Sequence, residues 1–176
     1  DEVIAPAQDL SPETAAAASE AALRIANELG VTGVMAAELF ETPGRGPGFL
    51  INELAMRPHN SGHWTMDGSV TGQFEQHLRA VLGLPLGSTA LLGGVAVMKN
   101  FLGAENPDLY LGTRLALAAE PAAKVHNYGK AVRPGRKVGH VNVVGASAAE
   151  LPAVRRSAER AAAIIRDGRE PNEEKA

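Results

Sequence analysis

Alanine and aliphatic residues recur at Ala15, Ala18, Ala22, Ile25, Ala26 and Leu29, the spacing of one helix face. Ser11-Pro12-Glu13 ahead of them supplies an N-cap, a first-turn proline and a first-turn acid, and Gly30 supplies the stop. A helix is predicted there. Two strand-like runs follow, 33–42 and 49–57, split by Pro43-Gly-Arg-Gly-Pro-Gly48, which suits neither helix nor ladder. They predict a hairpin closed by a six-residue loop. A polar loop rich in glycine and histidine runs from Pro58 to Gly68. A second helix is expected from about Ser69, with Val70, Phe74, Leu78, Val81 and Leu82 on one face and Gly83 and Pro85 at its end.

Glycines and a proline in 84–94 mark the expected domain boundary. Beyond it the strand candidates are 95–102, 123–128 and 138–144. Ser147-Ala-Ala-Glu150 has the form of a capping box, and Leu151, Val154, Ala158, Ala161 and Ile165 continue it as a helical stripe to Gly168. Pro152 conflicts with an early start, so that helix is expected two or three residues later. The pattern predicts an α+β chain: a first domain over 1–88, a small β-rich domain over 89–168, and a disordered polar tail over 169–176.

Composition narrows the chemistry. Of the 176 residues only 4% are aromatic, so the core must come from Ala, Val, Leu and Ile. The absence of cysteine excludes disulfides, iron–sulfur clusters, thiolate zinc sites and a cysteine nucleophile, and fits a cytoplasmic protein. No apolar run approaches the roughly 20 residues that cross a bilayer, and no secretory signal is recognisable. A net charge of −3 argues against general nucleic-acid binding. The charge is unevenly placed. Residues 1–55 carry nine acids against Arg24 and Arg45, whereas 124–140 carries five cations and no acid. That distribution suits metal at one end and phosphate at the other, or a solvated scatter.

With a loop of 43–48, Thr42 faces Phe49, and four positions on Glu38 faces Glu53, with Cβ atoms about 5 Å apart. Like charges so placed repel. The neighbours on Glu53's face are Phe49, Ile51, Ala55 and Arg57, so little solvent screening is expected. A divalent cation between the carboxylates would resolve the repulsion, and magnesium favours one or two carboxylates plus substrate phosphates. The alternatives are a register slipped by one, or side chains that both reach water at a sheet edge. Arg57, on the same face further along, could hold a planar anion bidentately or simply pair with a glutamate. His59, Asn60 and Ser61 are too polar for a core, and Gly62 permits close backbone approach. His59 and His63 lack a third ligand for zinc, and His77 reads as structural. In 126–140, Gly129, Pro134 and Gly135 form a tight turn ringed by Lys130, Arg133, Arg136 and Lys137 beside Tyr128. This reads as a phosphate site for a small ligand in preference to a nucleic-acid patch.

Ala37-Glu-Leu-Phe40, the run from Ile51 through Asn52-Glu53 and Arg57-Pro-His-Asn-Ser-Gly-His-Trp64, Gln73-Phe-Glu-Gln-His77 and Arg133-Pro-Gly-Arg-Lys-Val-Gly-His140 together resemble the N5-carboxyaminoimidazole ribonucleotide synthase family of the ATP-grasp superfamily. The resemblance covers nearly all of 1–168 but only the C-terminal half of the family's proteins. The half carrying the lysines, the glycine-rich lid and the adenine segment has no counterpart here. It implies the second subdomain of an ATP-grasp fold, antiparallel strands with helices, followed by a small β-rich domain. Glu38 and Glu53 would then be Mg2+ (or Mn2+) ligands bridging ATP phosphates, with Asn52 beside them. Ala55 stands where many ATP-grasp enzymes place asparagine. Arg57 would hold bicarbonate or carboxyphosphate, and His59, Asn60 and Ser61 would line the junction with the substrate amine. Asn60, Ser61, Tyr128, Lys130, Arg133, Arg136 and Lys137 would bind aminoimidazole ribonucleotide, with Lys130 and Arg136 on its 5′-phosphate. The implied reaction is ATP-dependent carboxylation of that ribonucleotide with bicarbonate in purine biosynthesis. The full-length form is expected as a homodimer, and a complementing N-terminal half is expected for activity. The alternatives are another ATP-grasp carboxylate–amine ligase, or a non-catalytic phosphoribonucleotide-binding module.

Overall fold

In the computed structural model, which describes residues 1–170, the Ser11 hydroxyl oxygen accepts from the Thr14 N–H and opens α1 (Pro12–Glu28). Gly30, at φ +61°, ends it, and the Val31 N–H reaches back to the Ala26 carbonyl at 2.9 Å. The hairpin is β2 (Ala36–Glu41) and β3 (Phe49–Ala55), the two strands of a separate antiparallel sheet. After β3 come a 3-10 turn (Asn60–Gly62), α2 (Thr65–Gly68) and α3 (Gln73–Val81). The second helix thus starts four residues later than expected, because Ser69 and Thr71 are buried, the backbone at Ser69 is extended and Gly72 is the N-cap. His77 is structural: its Nδ1 accepts from the Val34 N–H at 3.1 Å, ahead of β2.

The second sheet has four strands in the order β1 (Glu2–Ala5), β4 (Val95–Leu102), β6 (Lys137–Gly145), β5 (Lys124–Asn127), all antiparallel. Val95, Val97, Phe101, Val141 and Val143 form its apolar core with α4 (Leu109–Ala119) and α5 (Leu151–Asp167). Pro152 sits in the first turn of α5, where a missing N–H costs nothing, and the Glu150 carboxylate accepts from the Ala146 N–H and the Ser147 hydroxyl. The alternate positions Met98, Asn100, His140 and Asn142 face the other way and are also buried.

The chain divides into two units, 7–90 and a second built from 1–6 with 91 onward. The boundary lies two residues beyond the expected 88/89. Residues 1–6, expected in the first domain, belong to the second because β1 hydrogen-bonds along β4 and Glu2 pairs with Lys99 and Arg155. The second unit is α+β but less β-rich than expected, since α4 and α5 supply 11 and 17 helical residues. Of the tail expected to be disordered, Glu170 pairs with Arg160 at 3.1 Å, and residues 171–176 lie outside those described.

Alanine and glycine let α4 and α5 approach closely. A Cβ on Gly112 would stand 2.6 Å from the Ile165 carbonyl oxygen, a main-chain atom that cannot swing aside. Gly112→Ala should therefore destabilise the second unit by about 1–3 kcal/mol despite its better helix propensity, read as a lower urea midpoint at unchanged slope.

Candidate active site

The loop end of the hairpin pairs one residue out of the expected register. Glu41, not Thr42, faces Phe49, and Phe40 and Leu39 face Leu50 and Ile51. Asn52 is then the extra residue of a β-bulge, beyond which Glu38 faces Glu53 and Ala37 faces Leu54. The expected carboxylate pair is present, but it is the bulge that brings Glu53, rather than Asn52, opposite Glu38. The Asn52 amide donates to Glu38 Oε2 at 3.3 Å.

The carboxylates are not desolvated as expected. The Glu38 side chain is 38% exposed and that of Glu53 53%. A bulge bends the strand and increases its twist, and at these exposures water already softens the repulsion. His59 stands against both acids, Nδ1 3.6 Å from Glu38 and Nε2 3.9 Å from Glu53. Its Nδ1 also accepts from the Ser61 N–H at 3.4 Å and lies 3.0 Å from the Ser61 hydroxyl.

Arg57 is not on the strand, which ends at Ala55. Its guanidinium is exposed and donates to the neighbouring Pro58 carbonyl at 3.1 Å, instead of projecting along Glu53's face. Asn60 and Ser61 lie in the 3-10 turn that follows. His63 stacks on Phe74 with ring centroids 5.7 Å apart, and its Nδ1 lies 2.8 Å from the Gln73 amide nitrogen. Among the described residues no group of three or more His, Asp or Glu is gathered to hold a metal ion. Two half-exposed carboxylates leave most coordination positions open to water and phosphate oxygens, a donor set that fits a hard cation such as magnesium and not a protein-only cage.

In the second unit the 128–136 loop joins β5 to β6. The Gly103 N–H donates to the Arg136 carbonyl at 2.8 Å and the Gly135 N–H to the Gly103 carbonyl at 3.0 Å. Any Cβ on Gly103 would collide with the Arg133 backbone, so the turn is pinned main chain to main chain on the end of β4. Lys130, Arg133 and Arg136 are exposed on it. Lys130 Nζ lies 5.1 Å from the Tyr128 ring centroid, and Arg136 donates to the Ala131 carbonyl at 3.4 Å. Lys137 stands apart from them: it is the first residue of β6 and forms an ion pair with Asp1. The Tyr128 hydroxyl lies 2.9 Å from His140 Nδ1, and His140 stacks on His126 at 4.6 Å. Burial pushes the Tyr128 phenol above its ordinary pKa, and a hydrogen bond with the Asn100 side chain partly offsets this.

Sequence spacing missed Gln73. It is 6% exposed at the start of α3 and bonds the backbone of His59 through both ends of its carboxamide, at 2.9 Å each. A buried polar residue on the first turn of an amphipathic helix was the available signal.

The ATP-grasp domain family matches residues 1–74, and the phosphoribosylaminoimidazole carboxylase C-terminal domain family matches 96–153. The N5-carboxyaminoimidazole ribonucleotide synthase of Mycobacterium bovis is 57% identical over 152 residues, 85% of this chain and 35% of that protein. The crystal structure of N5-carboxyaminoimidazole ribonucleotide synthetase from Thermotoga maritima matches with a TM-score of 0.76 and 41% identity, over 92% of this chain and 44% of that one. That of N5-carboxyaminoimidazole synthase from Aspergillus clavatus, in complex with ADP and 5-aminoimidazole ribonucleotide, matches with a TM-score of 0.73 and 28% identity, over 92% and 42%. The chain thus spans about a third of the length of the curated relatives it matches. Over that span, the chain belongs to the N5-carboxyaminoimidazole ribonucleotide synthase family of ATP-grasp proteins.

Proposed function

We propose that this chain contributes the metal-and-phosphate half and the ribonucleotide-phosphate half of an ATP-dependent carboxylation. In it bicarbonate is activated by ATP as carboxyphosphate, and its carboxyl group passes to the amine of 5-aminoimidazole ribonucleotide, releasing ADP and phosphate. The observation that carries the reading is Glu38 facing Glu53 beside the 57–64 loop, in a chain whose relative was crystallised with ADP and that ribonucleotide.

Glu38 and Glu53 would hold Mg2+ or Mn2+, which when bound neutralises ATP phosphates; Asn52 orients Glu38. Arg57, free to swing because its present partner is only an adjacent carbonyl, serves bicarbonate or carboxyphosphate. His59, Asn60 and Ser61 form the turn that positions the reacting amine. Lys130, Arg133 and Arg136 offer cations on a turn already fixed by backbone bonds, so little ordering cost falls on phosphate binding. Tyr128 supports Lys130 by its ring, and Lys137 helps hold the end of the sheet through Asp1. Catalysis of this kind is positioning and charge neutralisation. The full-length protein would act as a cytoplasmic homodimer, with the remaining segment of the relatives supplying the rest of the nucleotide site.

The two halves make separable demands. In the chain joined to that remaining segment, Arg136→Ala should weaken ribonucleotide binding roughly 10- to 150-fold, the loss of one charge-assisted contact of about 1.5–3 kcal/mol. Glu53→Gln should leave that binding nearly intact while abolishing Mg2+-nucleotide use. Calorimetric titration of each variant with ribonucleotide, paired with an ADP-release assay, checks both, and equal losses would mean one merged site. The 176 residues alone should show no ribonucleotide-dependent ADP release, whereas adding the complementing segment should restore it. Turnover by the isolated chain would overturn this division of labour.

A further inference from the structure

The His59 ring lies within 4 Å of both carboxylates, and the Gln73 side chain holds its backbone. The His59 N–H can only donate, so the Gln73 Oε1 at 2.9 Å faces it. The Gln73 amide nitrogen then donates to the His59 carbonyl at 2.9 Å and to His63 Nδ1 at 2.8 Å. Gln73 is itself anchored, its own N–H donating to Thr65 Oγ1 at 2.9 Å while the Thr65 hydroxyl donates to the Gly62 carbonyl at 2.6 Å. A Cβ on Gly62 would collide with the Gln73 carboxamide oxygen, so the turn closes around this one side chain.

We propose that Gln73 is a positioning residue for the carboxylate pair: its buried carboxamide fixes the 59–63 turn so that the His59 imidazole stands between Glu38 and Glu53. The role needs an amide. Glutamate would keep the acceptor for the His59 N–H but set a second oxygen against the His59 carbonyl, where a donor is required. The inference rests on the reading of Glu38 and Glu53 as the metal-facing pair, but its geometry can be tested without metal or turnover. Gln76 offers a matched control, because its carboxamide clamps Gly87 in the same way, at 2.8 Å to both the N–H and the carbonyl, without touching His59.

The experiment is nuclear Overhauser spectroscopy on the whole chain with labelled His and Glu. The parent chain should show contacts from the His59 ring to the side-chain protons of Glu38 and of Glu53. Gln73→Glu should lose both sets, while the contact of the His77 ring with Val34 persists, and Gln76→Glu should lose neither. Gly62→Ala, which presses on the clamp while leaving Gln73, His59 and both acids in place, should reproduce the loss and decides the matter if Gln73→Glu does not fold. Retained His59–Glu contacts in folded Gln73→Glu or Gly62→Ala would overturn the proposal. An equal loss in Gln76→Glu would also overturn it, by showing general loosening. Adding Mn2+ to the parent chain tests the metal reading separately, through broadening of the Glu38 and Glu53 signals. Lost contacts in the variants without broadening in the parent would support the positioning role and remove only the metal.

Discussion

Glu38 and Glu53 carry like charge on directly opposed positions of a two-stranded sheet, an arrangement that costs free energy unless its surroundings offset it. Two things do so here. Both side chains are partly exposed to water beside the bulge at Asn52, and the Asn52 amide donates to one carboxylate. The polar turn after β3 brings the His59 ring within 4 Å of both. Its backbone is satisfied by the side chains of Gln73, Thr65 and His59, and not by a ladder. Both carboxylates thereby remain open to solvent.

How much of this was legible depended on whether a feature obeys a single period. The hairpin and α1 were readable, because two-residue and 3.6-residue patterns ended in glycine and proline. Glu38 opposite Glu53 was also foreseen, though from a register in which Thr42 faced Phe49. The real loop shifts the ladder by one and Asn52 shifts it back, a cancellation that residue types do not announce. The helix α4 was missed. Its leucines at 109, 111, 115 and 117 fit neither period cleanly, and Gly112 in their midst argues locally against a helix, although it is there to admit the Ile165 carbonyl.

Within the site, residue type says little about contacts. Arg57 was placed on a strand that stops two residues earlier, and Lys137 was grouped with cations from which its pairing with Asp1 separates it. Gln73 lies 14 residues beyond His59, on a different element, so no local spacing connects the two. Long-range side-chain-to-backbone bonds of this kind are set by tertiary packing, and a single sequence carries little record of them.

The pairing of β1 with β4 makes residues 7–90 an insertion between two neighbouring strands of one sheet. β1 and its partner β4 lie some ninety residues apart in the chain, which gives the sheet a high contact order. Closing that gap costs less entropy when the inserted stretch is already folded than when it is a free loop. Docking of Glu2 onto Lys99 and Arg155 is therefore coupled to the integrity of a unit that shares none of these contacts. A lesion confined to 7–90 would reach the edge of the other sheet through chain entropy.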